Sequence, residues 1–390
     1  MIPRFSINLN IIELFKVIFR NETVEKFEKN FSSYFKLKYP ISFSYGRSAI
    51  YCFLKSMKIV NKDIIMPSYT CSVIAHAIKK SGNNPKFLDV NKKNFNFNNK
   101  DLAKNIDKKT ACIILTNTFG IAQDVIEVKK IIKKNEKKYK TKIFLIQDCC
   151  HSFDAKFKNK TIIDQGDMVL FSFNISKTIT SIFGSIATFE DKEIFQNVKN
   201  YRDKNFRKKK ISEVISRFIY IFLATIFFNR KFYFFTHYLQ KKTRILKNLT
   251  DNYHLDNKVL LPPDYNTMLC DLEAKVGNYQ LNKYKSIRKI KLNNSKYYSN
   301  ILKKNKQVKI VKFNSGNTYS HFPVLVKNKK KVIDEFEKFG YEIGEVIQYS
   351  IPNLKPYKTN KKFLNSDYLS NHMINLPNEV RIPKKFLKIL

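Results

Sequence analysis

Lys177 and Asp148 are the two residues of this 390-residue chain whose types and settings could do chemistry. Met168-Val169-Leu170-Phe171 is an apolar run of strand length. It ends in the polar turn Ser172-Phe173-Asn174-Ile175-Ser176-Lys177-Thr178, which carries a single lysine. Upstream, Ile143-Phe144-Leu145-Ile146 reads as a second apolar strand and ends in Gln147-Asp148. An amine and a carboxylate therefore each follow the carboxyl end of a hydrophobic strand, the edge at which open α/β sheets bind ligands. A lysine in a partly apolar pocket can lose its proton and attack a carbonyl to form a Schiff base. An aspartate facing a pyridinium nitrogen keeps that ring protonated as an electron sink. Together they point to pyridoxal 5'-phosphate (PLP). Each residue alone has an ordinary explanation. With 73 Lys+Arg, most lysines are solvated charges, and Asp148 suits a strand-end turn or a helix cap.

The surrounding words narrow the choice. Asp148-Cys149-Cys150-His151, followed by Ser172-Phe173-x-x-x-Lys177 and Gly184, resembles the DegT/DnrJ/EryC1/StrS family of sugar aminotransferases. The family's first word runs Asp-Ala-Ala-Gln/His, and its second runs Ser-Phe-x-x-x-Lys with a glycine pair shortly after. Here Gly184 is followed by Ser185, so one glycine of that pair is kept. The resemblance is densest over residues 45–190 and implies the fold class α/β, PLP-dependent transferase fold type I. That fold has a large domain with a mainly parallel sheet flanked by helices, plus a smaller α+β C-terminal domain. The resemblance also implies roles: Lys177 holds PLP covalently and later moves a proton as a free amine, while Asp148 pairs with the pyridine nitrogen. Ser172 contacts the phosphate, and His151 lies near the cofactor's phenolic oxygen, although a lone histidine is ordinarily structural. In a dehydratase branch of the family a histidine stands where this chain has Lys177, which favours transamination.

The elements needed to position these residues are legible in order. Tyr45-Gly46-Arg47-Ser48-Ala49-Ile50 opens a helical pattern that runs to Lys58. The free N–H groups and positive dipole end of such a turn bind phosphate, although many helices simply start at Gly or Ser as caps. The family reads Gly-Thr-Ser-Ala here and holds the PLP phosphate. Gly46, Arg47 and Ser48 are thus expected to contribute backbone donors and the serine hydroxyl. Pro67-Ser68-Tyr69-Thr70 followed by Leu88-Asp89-Val90 resembles the family's Pro-Ser-Phe-Thr and Val-Asp-Val words. The residue after that threonine is often an aromatic stacked on the cofactor ring, and Cys71 occupies its place. Strands and helices alternate from 45 to 190, the rhythm of parallel βαβ units with right-handed crossovers. No G-x-G-x-x-G follows a strand, which sets aside a dinucleotide-binding reading.

Downstream, Tyr265-Asn266-Thr267-Met268 and the residues after it resemble a family word whose asparagine reaches the neighbouring subunit's phosphate. Only Asn266 is carried over, with a helix cap as the ordinary alternative. The resemblance implies a homodimer with a shared active site. A strand at His321–Val326, a helix at Lys331–Phe339 and the closing Ile374-Asn375-Leu376-Pro377 fit a small C-terminal domain, with His321 read as a core or inter-domain residue.

Length and a 43% hydrophobic content allow a large core and about two domains at roughly 100–200 residues each. The expected organisation is a leading segment over 1–45, a large PLP-binding domain over 46–198, an insertion over 199–260 and a small domain over 261–390. Helices are expected around Ile11–Phe19 and Val24–Phe35 in the leading segment. The net charge of +41 attracts anionic partners. The lysines are nonetheless spread along the whole chain with no nucleic-acid motif, so no nucleic acid is expected as a partner. Six cysteines at no zinc-like spacing read as reduced thiols of a cytosolic protein, without a metal. Met1 to Lys16 has no features of a signal peptide.

The insertion is the least family-like part. Lys199 to Lys210 holds seven basic residues against Asp203; Val214–Phe228 reads VISRFIYIFLATIFF; and Lys241-Lys242-Thr243-Arg244 is a second basic cluster. The continuous apolar part, Phe218–Phe228, has eleven residues, against the roughly 17–25 needed to span a bilayer. Such a helix can lie in the interface of an anionic membrane or be buried as a core or oligomer contact. The expected function is a PLP-dependent aminotransferase that makes an amino sugar from a nucleotide-linked keto sugar. The resemblance implies glutamate as the donor and a product that serves surface glycan or lipid-linked sugar biosynthesis. The enzyme is expected in the cytoplasm, peripheral to the membrane's inner face. The alternative is a PLP fold without turnover that serves as a membrane-associated binding or assembly protein, against which retention of Lys177 and Asp148 argues.

Overall fold

The runs Ile113-Ile114-Leu115, Phe144-Leu145-Ile146 and Met168-Val169-Leu170-Phe171 become strands, and helices fill most of the connecting segments. The computed structural model describes residues 1–242 and 258–390. The chain begins with α1 (Ile11–Ile18) and α2 (Val24–Phe35), then β1 (Ile41–Phe43), α3 (Gly46–Ser56), β2 (Asp63–Pro67), α4 (Ser72–Lys80), β3 (Asn84–Leu88) and α5 (Asn99–Asn105). It continues with β4 (Thr110–Thr116), α6 (Val125–Tyr139), β5 (Phe144–Asp148), the short hairpin β6 (Lys156–Phe157) and β7 (Lys160–Thr161), β8 (Met168–Ser172) and β9 (Ser185–Thr188).

Seven of these strands form one sheet in the order β1-β9-β8-β5-β4-β2-β3. β3, β2, β4, β5 and β8 are mutually parallel. β9 runs antiparallel to β8, and β1 antiparallel to β9, so β1 points the same way as β8. The sheet is thus mainly parallel, with its antiparallel member late in the expected βαβ series. Along β4, Ile113 and Leu115 enter one core and Cys112 and Ile114 the other, the period-2 alternation of a strand covered on both faces.

Local sequence starts several helices. Asn10 and Glu13 cap α1 reciprocally at 2.9 and 3.0 Å, and the Thr23 and Asp124 side chains accept from the first turns of α2 and α6. α3 and α4 begin at Tyr45 and Cys71 with no side-chain cap. The leading segment joins the main core through Phe27 and Phe31, which pack with Phe153, Phe171 and Phe173.

Beyond the sheet come α7 (Lys192–Asn205), α8 (Ile211–Phe227) and α9 (Tyr233–Lys242). Thr243, Arg244 and the rest of the insertion to residue 257 lie outside the described residues. The next helix, α10 (Asp271–Leu302), has 32 residues and is about 48 Å long. Its first half lies in the large core with Ala274 and Leu281, and its second half lies in the small one with Tyr298 and Leu302. Gly277 admits the Phe27 ring to the α10 backbone, since a Cβ there would sit 2.5 Å from Phe27 Cζ. The small domain closes with β10 (Lys309–Ile310), β11 (Phe322–Leu325), α11 (Lys329–Lys338), α12 (Leu364–His372) and β12 (Met373–Leu376), the strands forming an antiparallel sheet in the order β10-β11-β12. Among the described residues no helix is long and apolar enough to cross a membrane, and no group of side chains could hold a metal. All six cysteines are free thiols.

Candidate active site

The carboxyl ends of β1, β2, β4, β5 and β8 open on one edge of the sheet. Asp148 stands level with Thr116 on one side and Leu170 on the other. Ser172 and Phe43 both face Ser185 across the two antiparallel pairings. The turn after Phe43 is therefore level with the end of β8. A Cβ at Gly46 would lie 3.7 Å from Ser172 Cβ and 3.5 Å from Leu170 Cδ2, which places the first turn of α3 directly over that strand end.

The lysine turn folds back on β8. Phe173 N–H donates to the Gly184 carbonyl (2.9 Å), Ser181 N–H to the Phe173 carbonyl (2.9 Å) and Lys177 N–H to the Asn174 carbonyl (2.8 Å). The retained glycine has a physical reason: Gly184 has φ +76°, and a Cβ there would meet Ser181 Oγ at 2.5 Å and Leu269 Cδ1 at 2.8 Å. Ile182, fully buried, has φ +73°, a strained conformation for a β-branched residue. Such strain collects at functional loops.

Lys177 Nζ lies 2.7 Å from His151 Nε2. On the other side of the ring, Phe119, itself at φ +58°, donates its N–H to Nδ1 at 3.1 Å. Burial and the nearby Lys177 charge hold His151 well below the usual histidine range, so the ring is neutral. With Nδ1 accepting from the backbone, the hydrogen-bond pattern assigns the proton to Nε2, facing Nζ. The contact holds Nζ, the atom that would attack a carbonyl. The Thr318 hydroxyl donates to the His151 carbonyl at 2.7 Å and anchors the small domain here.

Asp148 accepts the Cys150 N–H at 3.0 Å through Oδ1. The Cys150 thiol is pushed well above its usual range, first by burial and then by Asp148, while Lys177 pulls it the other way. Asp148 and Lys177 thus both act on the Cys150 thiol, in opposite directions. Cys149 is also raised by burial, so neither cysteine is a thiolate nucleophile.

The phosphate-binding expectations fall out unevenly. Tyr45 leaves the start of α3 without a side-chain cap, and Gly46 has no side chain to block approach. Ser172 is half-buried at the end of β8, and the buried Ser185 Oγ has no hydrogen-bond partner. The Ser48 hydroxyl, in contrast, is engaged: it donates to the Tyr265 carbonyl of the same chain at 2.6 Å. Arg47 turns its guanidinium toward the Tyr45 ring, 5.8 Å from its centre. Asn266 follows Tyr265 and accepts the Arg207 N–H through its carbonyl at 3.0 Å. Cys71 sits at the start of α4, beyond the end of β2, with Tyr69 buried behind it and bonded to the Ile347 carbonyl at 3.2 Å.

Sequence reasoning missed two contributors. The His321 ring lies 5.2 Å from that of His151, so a residue read as core or inter-domain also borders the lysine's partner. Burial, Lys291 and Lys177 hold it well below the histidine range. The second contributor is an ionic cluster behind Tyr45. Arg217 of α8 reaches Asp264 Oδ2 and the Tyr45 hydroxyl, each at 2.6 Å, and lies over the Phe183 ring at 4.2 Å. Its Nε is 3.4 Å from Glu273 Oε1, and fully buried Lys209 is 3.1 Å from Glu273 Oε2. Two cations and two carboxylates balance, and they join α8 and the start of α10 to the residue that opens α3.

The residues present fit PLP. A glycine-opened helix start without a side-chain cap lies against Ser172 at the end of β8, an arrangement that suits an anion, and a carboxylate and an amine stand on the same sheet edge. The comparisons agree. The GDP-perosamine synthase of Escherichia coli O157:H7 is 27% identical over 180 residues, 46% of this chain and 48% of that protein, so the chain spans about half the length of that relative. The sugar aminotransferase CalS13 from Micromonospora echinospora superposes with a TM-score of 0.76 at 12% identity, covering 100% of this chain and 98% of that one. A GDP-4-keto-6-deoxymannose-3-dehydratase with a trapped PLP-glutamate geminal diamine gives 0.74 at 18% identity, covering 100% and 98%. The sequence model of the DegT/DnrJ/EryC1/StrS aminotransferase family matches residues 12–387, and the chain is a member of that family of PLP-dependent enzymes.

Proposed function

We propose that the chain transfers the amino group of glutamate to the ketone of a nucleotide-linked sugar. The observation that supports this most directly is Lys177 Nζ held by a neutral His151 on the same sheet edge as Asp148. Bound PLP supplies an electron sink for charge left on a substrate carbon when its proton departs. Asp148 would hold the pyridine nitrogen, and the first turn of α3 with Ser172 would hold the phosphate. Lys177 provides the covalent attachment. Once released, its Nζ takes a proton from the donor carbon and returns it at the acceptor carbon, a role worth about 10²–10⁴-fold. His151 orients that nitrogen through Nε2–H. A lysine here supports transamination over dehydration, because a histidine in its place forms no Schiff base and cannot recover the cofactor by that route.

The relatives' names point to a GDP- or UDP-linked 4-keto hexose as acceptor. The test is to incubate PLP-loaded protein with such a sugar and L-glutamate and identify the products by mass spectrometry. An amino sugar formed one-for-one with 2-oxoglutarate is expected. A deoxy keto sugar with released ammonia would instead make the protein a dehydratase.

The proposed assembly is a homodimer in which Asn266 of each chain serves the other chain's cradle. Its neighbour Tyr265 touches Ser48 of its own chain, so the experiment must separate the two arrangements. Mixed dimers of a Lys177→Ala chain with an Asn266→Ala chain contain one intact site if Asn266 acts across the dimer, and none if it acts within its chain. Restored activity in the mixture is the expected result. We place the enzyme in the cytoplasm, at the inner face of the membrane, on the strength of the basic and apolar insertion.

A further inference from the structure

We infer that one face of the enzyme, built by α8 with α1 and α9 beside it, docks on an anionic lipid surface. This names the partner surface for the peripheral location proposed above and does not depend on the amino-transfer chemistry. Ile211, Ile215, Ile219 and Leu223 recur every four residues along α8 and are 80, 52, 49 and 42% exposed. That spacing sets them in one ridge. The opposite side of the helix, with Arg217, Ile221 and Ala224, is buried against Tyr45 and Phe183. α1 packs beside α8 through Phe15 and Phe222, whose rings are 6.4 Å apart. It leaves Ile12 and Phe19 exposed at 69 and 84%. Phe232 before α9 and Phe234 and Phe235 in its first turn are also exposed. Large apolar side chains gathered on adjoining elements mark a surface with a partner.

The charges choose the partner. Lys16 and Arg20 of α1, Lys208 before α8 and Arg230-Lys231 after it rim the ridge. The acidic residues of the same elements are neutralised: Glu13 pairs with Lys283 and Glu213 with Arg207, each at 2.7 Å. A second copy meeting this chain face to face through the same ridge would set its own basic rim against this one, whereas anionic headgroups complement it. α8, with 17 residues, suits lying in the interface with its ridge among the acyl chains and its basic ends among the headgroups.

The mount is rigid. Arg217 bonds α8 to Asp264 and Tyr45, while Tyr233 and His237 of α9 bond to Glu342 (2.5 Å) and Glu337 (2.8 Å) of the small domain. Because the buried side of α8 meets the residue that opens α3, a docked enzyme would hold its phosphate cradle about one helix diameter, ~10 Å, from the lipid.

The experiment is flotation of the full-length, PLP-loaded protein with vesicles of phosphatidylcholine alone or with a phosphatidylglycerol fraction, at low and moderate salt. The wild type is expected to float with the anionic vesicles and to bind the neutral ones at least about tenfold more weakly. An Ile215→Asp/Ile219→Asp variant should lose about tenfold or more of the anionic binding, with its cofactor absorbance and its mass by light scattering unchanged. Ile12→Ser/Phe19→Ser, on the other helix, should weaken binding in the same direction and gives a second reading if the α8 variant folds poorly. Wild-type protein that stays unbound sinks the inference. So does undiminished binding by both variants, which would reflect general charge adhesion. Variants that turn a dimer into a monomer without altering flotation would assign the face to a second copy. Failure of amino transfer in the enzymatic assay leaves the flotation result readable, so the two readings fail separately.

Discussion

Lys177→Ala protein is expected to lose the visible absorbance that PLP-loaded wild type shows, and to lose at least about 10²–10⁴-fold of its amino-transfer rate. Two proposed functions would end together: the covalent hold on the cofactor, and the base that moves the substrate proton. In the wild type, L-glutamate should bleach the band as the cofactor takes up the amino group. Lys177→Ala tests the attachment atom itself, because among the described residues no other lysine bonds His151 Nε2. A band that survives the substitution would move the attachment to another amine and overturn the site assignment. An Asp148→Asn companion should still bind PLP but transfer slowly, since an amide cannot stabilise the protonated pyridine nitrogen as a carboxylate does. Comparing absorbance with rate in the two variants separates holding the cofactor from activating it.

Glu273→Ala is expected to destabilise the protein by about 3–5 kcal/mol, the range for breaking a buried ion pair from one side. Glu273 and Lys209 have fully buried side chains, and Arg217 is nearly so at 8%. Removing the carboxylate leaves two cations facing only Asp264. Because the same cluster holds Tyr45 at the start of α3, PLP should also bind more weakly to the folded variant. Urea unfolding followed by fluorescence measures the first effect, and cofactor titration the second. Glu213→Ala makes a suitable control. Its pair with Arg207 is partly solvated, at 25 and 43% exposure, and should contribute no more than about 1 kcal/mol. Equal midpoints for wild type and Glu273→Ala would mean that water or rearranged neighbours satisfy the cluster.

Comparison of the elements shows what local sequence can carry. The strand ending at Asp148, the strand ending at Ser172, the lysine turn and the glycine that opens α3 were all legible, because each is specified by neighbours within a few residues. Apolar runs specify buried strands, polar side chains specify helix starts, and Gly184 specifies the left-handed turn behind Lys177. The bounds of α2, Val24–Phe35, match the expected helix. The expected parallel βαβ series did not foretell that β9 would turn antiparallel and carry β1 into the sheet beside it, since strand direction follows from where a connection returns and not from the strand's own residues.

The α/β character was therefore contained in the sequence itself, and so was the strand-end setting of Lys177 and Asp148 on which the proposed site rests. Tertiary structure alone decided which groups those residues meet. His321 is 170 residues from His151, yet their rings lie 5.2 Å apart, and nothing in the local pattern of an apolar strand marks such a contact. The Ser48 hydroxyl was free to be a phosphate donor until the fold brought the Tyr265 carbonyl to it. In VISRFIYIFLATIFF, Arg217 reads as an interruption and the isoleucines as equivalent. The fold buries the arginine on two carboxylates and leaves Ile215 and Ile219 facing water. Burial is a property of what packs against a side chain, and a chain's own order along one helix does not contain it.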